Sequence, residues 1–209
     1  MVKKFSYGLV CAFAFASLAS ATILTSGSTA PPSGFSNAGW TLLASTGAQA
    51  ISSGTFTATA HAWVYSDTNN SFCSGCLDFV YQVALVSGLD PIERITAGSF
   101  TGFSTDVGYL TGSAGATPGS VDRSVNDSVI GFNYGGALAL TGTDSTKILV
   151  IETNTKFYKA GLMSAIDQQA ANGVGFAPAS APESSSITML GAGLILLGLL
   201  RIRRKSLNG

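Results

Sequence analysis

The 209-residue chain predicts an all-β fold, a single antiparallel β-sandwich. Three observations predict it. Residues 56–65 alternate strictly, with Phe56, Ala58, Ala60, Ala62 and Val64 on one face and Thr57, Thr59, His61, Trp63 and Tyr65 on the other. That period of two is the signature of a strand. Further short apolar runs recur every 8–15 residues between Gly-, Ser- and Asn-rich breaks, which suits a sandwich. Helical periodicity is almost absent. Jelly-roll and immunoglobulin-like topologies both stay open.

In chain order, "TSGSTAPPSGFSNAG" is a loop by composition and "WTLLAS" a first strand. The alternating strand follows and "SDTNNS" ends it. "LDFVYQVALV" is the next strand, with Phe79, Tyr81, Val83 and Leu85 on one face. "PIERITAGSF" and "DVGYL" are shorter candidates, and "TGSAGATPGS" is a loop. "SVIGFNYG" and the β-branched "KILVIETN" are strands. "AGLMSAIDQQA" reads as strand in preference to a short helix, and "GVGFAP" closes the body. The body thus spans 22–177. The stretch 178–186, rich in Pro, Ala and Ser, reads as a linker.

Both ends read as targeting segments. Residues 1–21 combine Lys3 and Lys4, the apolar "YGLVCAFAFASLA" and a small-x-small Ala19-Ser20-Ala21 step, as in a secretory signal peptide. Cleavage is expected between Ala21 and Thr22. At the other end, residues 187–200 form an apolar run broken only by Thr188. As a helix they would cover about 21 Å of a hydrocarbon core about 30 Å thick. Eight Leu or Ile residues favour insertion by about −2.4 to −4.8 kcal/mol. The run reads as a short transmembrane helix. Arg201, Arg203, Arg204 and Lys205 follow at once, so residues 201–209 form a basic tail on the cytoplasmic side and the body lies outside.

The formal net charge is zero, but six of the eleven basic residues lie in those two ends. Between the ends, five basic residues face eleven acidic ones, which leaves that part near −6. An acidic body without a basic cluster argues against nucleic acid as partner.

Few residues nominate chemistry. Outside the signal stretch the cysteines are Cys73 and Cys76, in "FCSGCLDF". A redox pair needs a helix N-terminus to lower one thiol pKa, and this pair opens a strand. Zinc needs two more ligands, and His61 is the single histidine. The pair therefore reads as a local disulfide that pins the loop, worth about 2 kcal/mol. His61 has no nucleophile or orienting acid at a telling spacing. Asp67, Asn69 and Ser71 offer alternating oxygens as in a calcium loop, but turn chemistry explains them equally. Asp122 and Arg123 read as a local surface ion pair. Trp40, Trp63, Tyr65, Tyr81 and Tyr109 can stack on sugars where exposed, with core packing the alternative use. No cofactor or metal is expected.

The tail "APESSSITMLGAGLILLGLLRIRRK" resembles a PEP-CTERM sorting signal, also called an ice-binding-protein C-terminal domain. Pro182 and Glu183 match the first two positions of the family's Pro-Glu-Pro motif, and Ser184 replaces the second proline. "CSGCLDFVYQV", "FTGFSTDVGYL", "VDRS" and "VIGFNY" resemble lines shared by a group of such proteins. The resemblance implies an exported Gram-negative bacterial protein, held briefly in the inner membrane by 187–200. An exosortase-type enzyme would then process it for the cell surface or extracellular matrix. The family's association with extracellular polysaccharide implies a structural or matrix role without enzymatic activity. Binding of the producer's polysaccharide is the alternative, and a hydrolase built on scattered Asp and Ser residues is a third. Ice binding is not expected, because no regular Thr array appears.

Overall fold

A computed structural model of the chain describes residues 23–181. The signal stretch 1–21, its cleavage step at Ala21 and Thr22, the sorting motif at Pro182 and Glu183, the apolar run 187–200 and the basic tail 201–209 lie outside the described residues. Among the described residues no helix is long and apolar enough to cross a membrane.

The body is all-β, with two sheets over one shared core. Among the described residues thirteen strands follow in chain order: β1 (Thr29–Ala30), β2 (Ser33–Phe35), β3 (Trp40–Ser45), β4 (Gln49–Ser52), β5 (Phe56–Asp67), β6 (Cys76–Gly88), β7 (Arg94–Gly98), β8 (Thr105–Leu110), β9 (Ser120–Arg123), β10 (Val129–Asn133), β11 (Leu149–Thr153), β12 (Phe157–Ile166) and β13 (Ala170–Ala179). One sheet runs β1-β9-β10-β7-β12-β13. The other runs β2-β8-β11-β6-β5-β3, with β4 also paired to β5. Among the described residues all ladders are antiparallel except β2–β8, which is parallel and departs from the antiparallel expectation.

The alternation read in residues 56–65 sets the inner face of β5. Phe56, Ala58, Ala60, Ala62 and Val64 are buried, and Phe79, Tyr81, Val83 and Leu85 of β6 continue the same layer. Opposite them, β13 turns Ala171, Gly173, Gly175 and Ala177 inward. Small residues on both sides let the layers approach. A Cβ at Gly175 would stand 3.3 Å from the Tyr81 ring. The Tyr81 hydroxyl then reaches across and donates to the Phe176 carbonyl at 2.6 Å, which meets the need of a buried phenol for a partner. Phe79 and Phe100 pack edge to face, centroids 5.7 Å apart.

"AGLMSAIDQQA" and "GVGFAP" belong to one long hairpin, β12–β13. Its second strand continues to Ala179, so Pro178 and Ala179 are strand and not linker. Proline fits there because β13 is the edge of its sheet, where one side of the backbone needs no N–H. The short strands β1, β2, β4 and β9 escape the sequence pattern. They hold two to four residues each, too few to show a period.

Candidate functional site

The outer face of the seven-stranded sheet carries a row of acids. Asp78 of β6 pairs in register with Glu152 of β11, and Glu152 pairs with Asp106 of β8. Side chains at directly opposed positions share a face, so three carboxylates stand side by side across three strands. Asp67, the last residue of β5, adds a fourth: oxygens of Asp67, Asp78 and Glu152 lie within 4.8 Å of one another. All four residues are buried, Asp78 completely.

The cover is the loop 68–75 between β5 and β6. Asn70 Nδ2 donates to Asp78 Oδ1 at 2.8 Å. The Ser71 amide donates to Glu152 Oε2 at 3.0 Å, and its hydroxyl donates to the same oxygen. Asp67 Oδ1 accepts from the Asn69 amide at 2.8 Å. Asn69 Nδ2 in turn donates to the Ala38 carbonyl and ties the loop to the segment before β3. Gly39 permits that approach. Its φ is +92°, and a Cβ there would come within 2.4 Å of the Thr68 hydroxyl. The sulfurs of Cys73 and Cys76 lie at disulfide distance with Cα atoms 5.3 Å apart, closing the loop where β6 begins. The expected pinning role matches this placement.

Among the described residues, Asp67, Asp78 and Glu152 take part in no ion pair. Two carboxylate charges 4.8 Å apart repel by roughly 3.5 kcal/mol at an effective dielectric of about 20. Desolvation is the largest influence on Asp78 and, with Glu152 and Asp67 nearby, pushes its carboxyl up to about 8 against the pull of Asn70. Desolvation likewise raises Glu152, aided by Asp106 and Asp67 and opposed by Ser71. Oδ2 of Asp78 accepts no hydrogen bond among the described residues. The Trp40 indole N–H is turned toward this carboxylate without closing a bond. The row therefore either retains protons or binds a cation.

A cleft of about 430 Å³ leads to the acids, bordered by Ser33, Phe35, Ser71, Asp67, Asp106 and Glu152. Ser33 Oγ donates to Asp106 at 2.8 Å on its rim. Beside it on the same sheet face lies a second cleft of about 270 Å³, walled by Trp40, Trp63 and Tyr65. Trp40 stacks on Tyr65 at 4.6 Å, and His61 stacks on Trp63 at 4.0 Å. Among the described residues His61 Nε2 faces only the Ser45 hydroxyl, at 3.3 Å, and partial burial lowers its pKa.

Of the residues read as a calcium loop, Asp67 and Ser71 reach the acid row, while the Asn69 side-chain amide donates to the Ala38 carbonyl. Of the aromatic residues, Trp40, Trp63 and Tyr65 meet in one cleft. Tyr81 is core, and Tyr109 lies apart under the Lys147 ammonium at 5.4 Å. Asp122 and Arg123 are not paired with each other, because neighbours on a strand point to opposite faces. Asp122 holds Arg94 through two bonds, at 2.6 and 2.7 Å. Arg123 is buried, pairs with Asp127 at 3.0 Å and donates to the carbonyls of Leu24, Phe100 and Phe103. It is a buried clamp and not surface decoration. The acids at Asp78, Asp106 and Glu152 were missed in the sequence reading. Their signal was one acid near the end of an otherwise apolar or β-branched strand.

Fold and site together define an all-β, two-sheet domain with an acidic cleft beside an aromatic one. No protein-family model matches the chain, and no significant match links it to a curated protein or a solved structure.

Proposed function

We propose that the chain is an exported, non-enzymatic protein of the cell surface or extracellular matrix, built on a single β-sandwich formed by its two sheets. It would be delivered by residues 1–21 and sorted by a PEP-CTERM-type tail: the Pro182-Glu183 step, the 187–200 span and the basic cluster at 201–205. An exosortase-type enzyme and, transiently, the inner membrane would be its partners. The observation that best supports export is the closed Cys73–Cys76 pair, because such bonds persist in oxidising compartments. The test is expression in a Gram-negative host with and without an exosortase, followed by mass spectrometry of both chain ends. A mature start at Thr22 and exosortase-dependent loss of the residues after Glu183 are expected. Both ends intact on a reduced, cytoplasmic chain would sink the reading.

A second reading is favoured by the cleft between Trp40, Trp63 and Tyr65. Aromatic faces beside hydrogen-bonding carboxylates suit a sugar. In this reading the body grips the producer's extracellular polysaccharide. A glycan array with wild type and Trp63→Ala decides it: binding lost in the variant supports the reading, and no binding by wild type leaves the structural role.

A further inference from the structure

We propose that Asp67, Asp78 and Glu152 hold one calcium ion at the floor of the acidic cleft, where it locks the disulfide loop 68–75 onto the seven-stranded sheet. The donor geometry suits one ion. Calcium binds oxygens at about 2.4 Å, so two of its ligands stand no more than about 4.8 Å apart, and oxygens of these three residues lie within 4.8 Å.

A second observation points the same way. Asp78 is fully buried, and Asn70 occupies its Oδ1. The oxygen left to offer, Oδ2, closes no hydrogen bond among the described residues, and the Trp40 indole N–H turned toward this carboxylate closes none either. Buried carboxylates are ordinarily paired or bound to metal, and neither Asp78 nor its two neighbours is ion-paired among the described residues. One divalent ion would supply the missing positive charge to all three.

Oxygen donors select a hard cation. Zinc lacks nitrogen and thiolate ligands here, since His61 stacks on Trp63 with Nε2 at Ser45 and both nearby cysteines are oxidised. Magnesium usually keeps several waters and takes one or two carboxylates, whereas calcium accepts more protein oxygens in looser geometry. The Ser71 hydroxyl lies on Glu152, and the cleft admits water for the remaining positions. The ligands join β5, β6 and β11, and Asn70 and Ser71 hang the loop on two of them. The ion would thus hold the loop from beneath while the disulfide closes its end.

The test is a calcium titration of the full chain after dialysis against EDTA, read by calorimetry and by thermal unfolding. One calcium per chain is expected, with Tm raised by about 5 °C at saturating calcium. Glu152→Gln should weaken affinity at least about tenfold and abolish the Tm shift. Should that variant fold poorly, Asp78→Asn retains an oxygen for Asn70 and serves the same comparison. A folded wild type with neither heat nor Tm shift overturns the proposal. So does an equal shift in wild type and Asp78→Asn, or an equal shift with magnesium at the same concentration.

Discussion

Asp78 on β6 and Glu152 on β11 are direct cross-strand partners, and both are buried. Like charges directly opposed destabilise a sheet. Without a cation the pair is accommodated by protonation. Asp78 carries its proton to about pH 8 in the fold, against about 4 for an aspartate in an unfolded chain. Between those values the native state binds the extra proton. Its stabilising contribution is therefore full below about pH 4 and is lost as the pH rises through 8. In EDTA, urea unfolding at pH 5 and at pH 8 should show lower stability at pH 8, and Asp78→Asn should remove most of that difference.

The loop above this pair is held by Cys73–Cys76. Cys73→Ser with Cys76→Ser should lower stability by about 2 kcal/mol, measured by urea unfolding. It should also increase amide exchange at Asn70 and Ser71 more than in β12–β13. Uniform exchange across the body would mean that the bond does not act on this loop.

Arg123 gathers three backbone carbonyls and Asp127 in a buried setting. Replacing it by leucine strands those acceptors, so Arg123→Leu should cost about 3–5 kcal/mol. Arg123→Lys should recover little, since an ammonium lacks the guanidinium fork. The Arg94–Asp122 pair is more exposed, and Arg94→Ala should cost about 1 kcal/mol or less. Chemical denaturation of the three variants checks the ranking.

Tyr81 joins the two sheets through its hydroxyl. Tyr81→Phe keeps the ring in the core and orphans the Phe176 carbonyl. The expected loss is about 1 kcal/mol, read from the urea midpoint with an unchanged slope.

Much of the fold was legible because burial leaves a period. The inner faces of β5 and β6 follow directly from residues 56–64 and 79–85. β4 and β9 were not legible, since four residues cannot show that period. The site was less visible. Asp67 and Ser71 stand out locally in "SDTNNS", but Glu152 lies 85 residues beyond Asp67 and joins it only through the pairing of β11 with β6. Sequence spacing cannot encode a contact made by sheet register. Arg123 was misjudged for a related reason: its neighbour Asp122 faces the other side of the sheet, and its own partners come from loops at 24, 100 and 103.

The chain leaves the described body at the end of β13, which among the described residues is an edge strand paired only with β12. Ala179 stands opposite Phe157, at the open end of that hairpin. A pull on the following residues, directed away from the sheet, would reach the ladder at this pair first. The pairs from Ala179 back to Ala170 would then part in succession, as a zipper opens, and not in shear. Peeling would also have to break the bonds from Thr155 to the Ala179 carbonyl, from Tyr81 to the Phe176 carbonyl and between Gln49 and Val174, so the exit strand would yield stepwise before the acidic row on the opposite sheet was disturbed.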